Sequence, residues 1–303
     1  MEIFVRQTGG LGNQLFQYAA GKYFAARYGA DLAILFNPDD HRSSRGGWSR
    51  PFQLDAFRIE TPMRKASLMG RLACMRNRRA RQVQDLGFRL ANRRLWIDVP
   101  EFRFIPELPY RRLPAKLYLK STWQAAGYAA AVEESLRQDL RFREEAQGKD
   151  AEVLEAIAAC RCPISVHLRR GDYALIFAQW LLSPSYYADA WKVALDQFED
   201  AGFFVFSDDM EFARKVLPRS APLHFVEHNQ VSTAYQDLRL MAACRHHIIA
   251  NSSFSWWGAW LNPRADKMVI APKYWENRRE TYYPDLFPSG WRLIENCADT
   301  EPR

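Results

Sequence analysis

The stretch PISVHLRRGDY (Pro163–Tyr173), followed by SPSYYADAWKVALDQFE (Ser183–Glu199) and FFVFSDD (Phe203–Asp209), decides the fold. Ile164–Leu168 and Phe203–Phe206 read as short, largely apolar strands. Between them, Ser183-Pro184 gives a cap and a first-turn proline for a helix running to about Glu199. Strand, helix, strand with an apolar character on both sides of each strand predicts a parallel sheet covered on both faces. In such sheets ligands bind at the carboxyl ends of the strands, which places His167, Arg169, Arg170, Asp172, Ser207 and Asp208 at a candidate site.

Downstream the alternation continues. Leu223–Val226 reads as a strand, Ser232–Cys244 as a helix with Ser232 as N-cap, and His247–Ala250 and Met268–Ala271 as further strands. The strand end after His247 carries Asn251-Ser252-Ser253-Phe254-Ser255-Trp256-Trp257-Gly258. Upstream, residues 1–7 (MEIFVRQ) read as a strand that leaves no room for a signal peptide. A Gly-rich turn (Gly9–Asn13) leads into a helix over Leu15–Tyr28, whose Leu15, Tyr18, Ala19 and Tyr23 share one face. Gly29 stands where a helix end wants positive φ, and Asp31–Phe36 forms the next strand, completing a βαβ opening. Residues 37–53 read as a long loop. A helix over Gln124–Gln138 precedes the polar stretch Arg143–Asp150, a linker that divides the chain into domains 1–150 and 151–303.

Composition agrees with two enzyme-sized domains. The chain has 303 residues, 48% hydrophobic and 14% aromatic, about twice a typical domain of ~150 residues. Its longest strictly apolar runs, such as Met268–Ala271, fall far short of the ~20 residues of a membrane span. Five cysteines without metal or disulfide spacing point to a reduced, cytoplasmic compartment. The net charge of +7 is local: Arg64–Arg94 holds ten basic residues against Asp85 alone. With Leu68, Leu72 and Met75 on one helical face, that segment suits peripheral contact with an anionic membrane, or packing on the protein's own core. No RRM, KH or helix-turn-helix signature accompanies it, so nucleic acid is not an expected partner.

Taken one by one, the strand-end features have ordinary readings. The turn before the first helix is neither GxGxxG nor a P-loop, and a packing role is its default. Arg169-Arg170 could be a surface pair, Asp208-Asp209 a helix cap before a metal site, and Trp256-Trp257 core before sugar platform. Together, however, glycines, helix-start N–H groups and adjacent guanidinium groups form a set that can hold a diphosphate.

The sequence resembles the bacterial α-1,2-fucosyltransferases of glycosyltransferase family 11. The resemblance rests on GGLGNQLFQYAAG (Gly9–Gly21), ISVHLRRGDY (Ile164–Tyr173), FVFSDD (Phe204–Asp209), AYQDLRLMAACRHHIIANSSFSWWGAWLN (Ala234–Asn262) and MVIAPKYW (Met268–Trp275). It implies a GT-B α/β fold with two Rossmann-like domains facing a cleft, GDP-fucose as donor, and inverting transfer to the 2-hydroxyl of a terminal galactose. It implies no cofactor and no metal. It places Arg169 on the β-phosphate, with Arg170 assisting and Asp172 either the general base or the group that orients these arginines. Donor-binding residues are then Gly10, Gly12, Asn13, Gln14, His167, Ser207, Asp208, Asp237, Asn251, Ser252 and Ser253. Asp237 would read guanine, its ordinary alternative being a first-turn acid facing a helix dipole. Trp123-Gln124 follows the family pattern, but Ala125-Ala126-Gly127 replaces its charged pair, and no acceptor residue is assigned. The acceptor implied is a galactose-terminated oligosaccharide or a lipid-linked glycan such as a lipopolysaccharide O-antigen, decorated at the inner face of the membrane. The alternatives are a GDP-sugar transferase of other acceptor or linkage, and a nucleotide- or nucleic-acid-binding non-enzyme.

Overall fold

The computed structural model describes residues 1–36, 50–65, 96–97, 101–110, 112–276 and 278–297. Residues 37–49 of the loop expected over 37–53, and all of the basic 64–94 segment beyond Lys65, lie outside these residues. The chain divides into two compact units, Met1–Arg143 and Glu144–Arg303, the division falling at the start of the expected linker.

In the first unit, β1 (Glu2–Arg6), β2 (Asp31–Phe36), β3 (Met63–Lys65), β4 (Trp96–Ile97) and β5 (Lys116–Leu119) form one sheet in the order β3-β2-β1-β5-β4. Every pairing is parallel. The helix α1 (Leu11–Tyr28) begins four residues before the sequence expectation. Gly9, in the left-handed region at φ 76°, turns the chain and Gly10, in extended backbone, takes the N-cap position, so Gly12, Asn13 and Gln14 already lie in the first helical turn. Gly29 ends α1 in the left-handed region at φ 56°, as expected. Gly21 lets α1 lie close on the sheet: a Cβ there would stand 3.0 Å from Val5 and Leu32 side chains. The single helix expected over Gln124–Gln138 is two, α2 (Ala126–Ala131) and α3 (Glu133–Asp139), broken at Val132. Glu133 and Glu134 in the first turn of α3 suit a fresh helix start.

The second unit contains α4 (Lys149–Ala159), β6 (Cys162–Leu168), α5 (Gly171–Ile176), α6 (Pro184–Gln197), β7 (Ala201–Ser207), α7 (Met210–Val216), β8 (Leu223–Val226), α8 (Ala234–Ala243), β9 (His246–Ile248), α9 (Ser253–Leu261), β10 (Val269–Pro272) and β11 (Arg292–Ile294). Its sheet runs β11-β10-β9-β6-β7-β8, again wholly parallel. All seven residues of β6 are buried, as an interior strand under helices on both faces requires. Ser183 caps α6 through its hydroxyl with Pro184 in the first turn. Ser232 is not a cap: it lies in a 3-10 turn (Val231–Thr233) closed by a capping box between Gln230 and Thr233, and Thr233 takes the N-cap position of α8. Trp256 and Trp257 are fully buried core residues, and Trp256 Nε1 donates to the Leu286 carbonyl at 2.9 Å. Among the described residues, no helix is long and apolar enough to cross a membrane.

Candidate functional site

The carboxyl end of β6 is built around one guanidinium. Arg169 Nη1 donates to Asp208 Oδ2, and its Nη2 donates to Asp172 Oδ1. The guanidinium also stands 5.3 Å from the Tyr173 ring centre. Burial acts to lower the Arg169 pKa, but Asp208 and Asp172 outweigh it and raise the value, so the group stays cationic. Its two bonds use two of the five N–H donors that a guanidinium carries.

Arg170 is placed differently. Its Nε donates to Asp209 Oδ2 at 3.0 Å and its guanidinium lies 3.7 Å over the Phe212 ring. Asp209 meanwhile caps α7 by accepting from Phe212 N at 3.0 Å, which is the capping reading of Asp208-Asp209 for one of the two acids. Asp208 is the hub: besides Arg169, it accepts from Arg170 N at 2.8 Å. Ser207 Oγ accepts from Asp209 N at 3.0 Å and so fixes the same turn.

His167 is buried beside this cluster with Nδ1 lacking any partner. Burial pushes its pKa down to about 4, with Asp208 opposing and Arg169 reinforcing, so the imidazole is neutral near pH 7. The Phe254 ring of α9 is 5.8 Å away, centre to centre. Asn251 joins the site through its backbone, whose carbonyl accepts from Tyr173 Oη at 3.2 Å. Its Nδ2 donates to the Trp180 and Trp275 carbonyls, both at 2.7 Å, while Oδ1 has no partner. Ser252 Oγ caps α9 by accepting from Phe254 N at 3.3 Å, and Ser253 opens that helix.

Asp237 belongs to a second cluster in the same unit. Its Oδ1 accepts from Asn229 Nδ2 at 2.8 Å, and the same nitrogen donates to Asp150 Oδ1 at 2.9 Å. Asp150 Oδ1 is also 2.8 Å from His228 Nε2. Burial pushes the Asp237 carboxyl up to about 6; Asn229 and His228 pull it down, and Asp150 adds to the rise. Asp150, His228 and Asn229 escaped sequence reasoning, because the contact between residues 78 positions apart leaves no local pattern.

The remaining expected residues lie in the first unit. Gln14 is fully buried and its amide is occupied: Nε2 donates to the Gly9 and Pro51 carbonyls at 3.0 and 2.9 Å, and Oε1 accepts from Gln53 N at 3.0 Å. Asn13, half-buried, accepts from Gln124 Nε2 at 3.2 Å. Gly10 has room for a Cβ, which would meet only Arg50 Cδ at 3.6 Å, and Gly12 is buried in the first turn of α1. Among the described residues, no group of three or more His, Cys, Asp or Glu side chains is arranged to hold a metal ion. A cavity of about 610 Å³ lined by Ile157, Cys160, Arg161, Arg245 and Arg264 opens at the amino ends of β6 and β9, opposite the ligand edge of the sheet.

A family model described as glycosyl transferase family 11 matches residues 104–295. The chain is 30% identical to an alpha-1,2-colitosyltransferase of Escherichia coli over 97% of its own length and 99% of that protein. It is 28% identical to the O-antigen biosynthesis glycosyltransferase WbnK of Escherichia coli, over 88% and 93% of the two chains. A shorter match, 31% identical over 32% of this chain and 28% of the other, is to human galactoside alpha-(1,2)-fucosyltransferase 1. In structure it is similar to the NodZ alpha-1,6-fucosyltransferase co-crystallized with GDP (TM-score 0.53, 16% identity, 89% and 94% covered). It is similar also to a mutant of Arabidopsis thaliana FUT1 (TM-score 0.55, 12% identity, 95% and 75% covered). These likenesses establish the fold as that of the GT-B glycosyltransferases.

Proposed function

The chain belongs to glycosyl transferase family 11, and from that premise we propose that it moves fucose from GDP-fucose to the 2-hydroxyl of a terminal galactose, with inversion and without a metal ion. As the sugar departs, negative charge grows on the β-phosphate, and fixed positive groups aimed at it lower the barrier most when they need not reorganise. Arg169 has that character. Two carboxylates grip its guanidinium at the end of an interior strand, and this pre-set guanidinium is the observation that carries the proposal. Because Asp172 spends an oxygen on Arg169, its role is to orient that arginine. Arg170, tied to Asp209 and Phe212, adds charge at one remove, and the α9 start at Ser252 and Ser253 adds N–H donors.

Guanine offers N1–H and N2–H₂ on one edge, which a carboxylate accepts. Asp237 is the base reader, its Oδ1 steadied by Asn229, with neutral His167 and Asp208 at the neighbouring strand ends. Within the first unit, Gln14 ties the 50–53 segment to the Gly9 turn through its amide. The acceptor is a galactose-terminated oligosaccharide or lipid-linked glycan of the O-antigen kind, and the basic 64–94 segment is the membrane contact of a cytoplasmic, peripheral enzyme.

Incubation with GDP-fucose and EDTA across a panel of galactose-terminated oligosaccharides tests this reading. Release of GDP only when a galactoside is present, with an α-1,2 linkage in the product, is expected. Release that ignores the acceptor, or that requires added magnesium, overturns it. A second reading, transfer of colitose in place of fucose, is favoured by the near full-length similarity to a colitosyltransferase. Competition between the two GDP-sugars decides between them.

A further inference from the structure

Asn229 serves the proposed function only as a donor to Asp237, yet the fold sets it between two acids. Asp150 and Asp237 stand in the first turns of α4 and α8. Those helices pack together through Val153 and Ile157 on one and Leu240, Met241 and Cys244 on the other. Because α4 runs directly into the amino end of β6 and α8 follows the carboxyl end of β8, both helices start at the ligand edge of the sheet. The packing thus brings two carboxylates to one place, Asp150 buried and Asp237 only partly so.

The Asn229 amide lies between them. Its Nδ2 donates to Asp237 Oδ1 at 2.8 Å and to Asp150 Oδ1 at 2.9 Å, one hydrogen of the NH₂ group for each acid. Thr233 Oγ1 donates to its Oδ1 at 3.4 Å, and His228 Nε2 stands 2.8 Å from the same Asp150 oxygen. An amide turned over would aim its own oxygen at two carboxylates, so charge fixes which way it points. Without that nitrogen the two acids would repel directly, and like charges at a shared site push one carboxyl to its neutral form. Asp237, already raised to about 6 with Asn229 pulling it down, is the acid that would take up the proton. A neutral carboxyl turns an O–H toward the base where guanine needs an acceptor for its 2-amino group. We propose that Asn229 is a positioning residue that sets the nucleobase: its amide spaces Asp150 from Asp237, so that Asp237 meets the base as an acceptor on both oxygens and guanine is preferred to hypoxanthine, which lacks the 2-amino group. Asp150 and His228 act only through that amide. This rests on the proposed reading of Asp237 as the base reader.

The test compares the Kd values of GDP and IDP, whose base is hypoxanthine, by calorimetry on the full chain at pH 7.5, beside KM and kcat for GDP-fucose. The unaltered enzyme binds GDP about tenfold or more tightly than IDP, as a hydrogen bond to a charged group gives. Asn229→Leu keeps the volume and removes the donor. The preference then falls to about threefold or less and KM for GDP-fucose rises about tenfold. Its kcat stays within about twofold, because the Arg169 cluster is untouched. Adding Asp150→Asn to that variant removes the opposing charge and restores a preference of about fivefold or more. Asn229→Ala, which admits water between the acids, lowers the preference about threefold. An undiminished preference in Asn229→Leu, a kcat loss as large as the rise in KM, or a double variant no better than the single one overturns the inference. Should Asp237→Asn bind both nucleotides as the unaltered enzyme does, the reading of Asp237 fails and takes the inference with it. Circular dichroism accompanies every variant, and collapse of both Asn229 variants to unfolded chain would assign the amide to helix packing and overturn its positioning role.

Discussion

At the end of β6 Arg169 is gripped by two carboxylates, whereas at the start of α1 Asn13 accepts from the neutral amide of Gln124 and lies against Gly9. The ionic grip acts through charge and tolerates small displacements, because Coulomb energy falls slowly with distance. The amide grip acts through direction, and a single methyl group or a reversed donor undoes it. One region should therefore fail when charge is removed, and the other when geometry is altered.

Removal of charge should have the largest effect. Arg169→Ala is expected to lower kcat by ~10²–10³-fold, as loss of an oxyanion donor does, with an unchanged circular dichroism spectrum. Arg169→Lys should recover little, since one ammonium cannot bridge both carboxylates as a planar fork does. Asp208→Asn keeps an acceptor for Arg170 N but loses the ionic contact to Arg169, and should cost about tenfold in kcat. Near-normal turnover by either variant would erase the ionic side of the contrast.

Geometry comes next. Gly9→Ala forces a side chain into positive φ and against Asn13, so a thermal midpoint lowered by several degrees and a kcat lowered by more than the stability loss explains are expected. Asp237 gives a smaller, pH-dependent effect. Its carboxyl, raised to about 6, loses charge as pH falls through that value, so KM for the donor should rise severalfold below pH 6 and stay flat above it. Asp237→Asn should raise KM above pH 6 to the level the unaltered enzyme reaches below it, and remove the inflection. Asp150→Asn removes the neighbouring negative charge that raises Asp237 and should move the inflection to lower pH. The smallest effect concerns the 3-10 turn before α8: Thr233→Ala removes the hydroxyl that accepts from Gln230 N and should cost ~1 kcal/mol in chemical denaturation, and Ser232→Ala less than ~0.5 kcal/mol.

The strands of the second unit were legible because each is a short apolar run between turn residues, and β8 coincides with its expected range, Leu223–Val226. Ser183, Gly29 and the buried tryptophans followed from local rules as well. The start of α1 was misplaced because Gly12-Asn13 reads as turn chemistry, although Gly9 and Gly10 complete the turn before them. Ser232 lost its expected role to Thr233 because the 3-10 turn carries its own capping pair, Gln230 and Thr233. The short first-unit strands β3 to β5 carry too few residues to show a period. In the site, adjacency along the chain brought Arg169, Arg170 and Asp172 together, and the parallel pairing of β6 with β7 added Asp208. The partners chosen across the fold, Asp150 for His228 and Asn229, and Gln124 for Asn13, depend on packing between distant segments and had no signature.

The wholly parallel first sheet has a consequence for synthesis on the ribosome. Its first strand, β1, is an interior one, pairing with β2 on one side and with β5, which begins only at Lys116, on the other. Until that later stretch emerges, β1 carries an open edge of unpaired amides, the kind of surface that recruits other chains. A chaperone that shields nascent chains until residue 119 has emerged should therefore raise soluble yield.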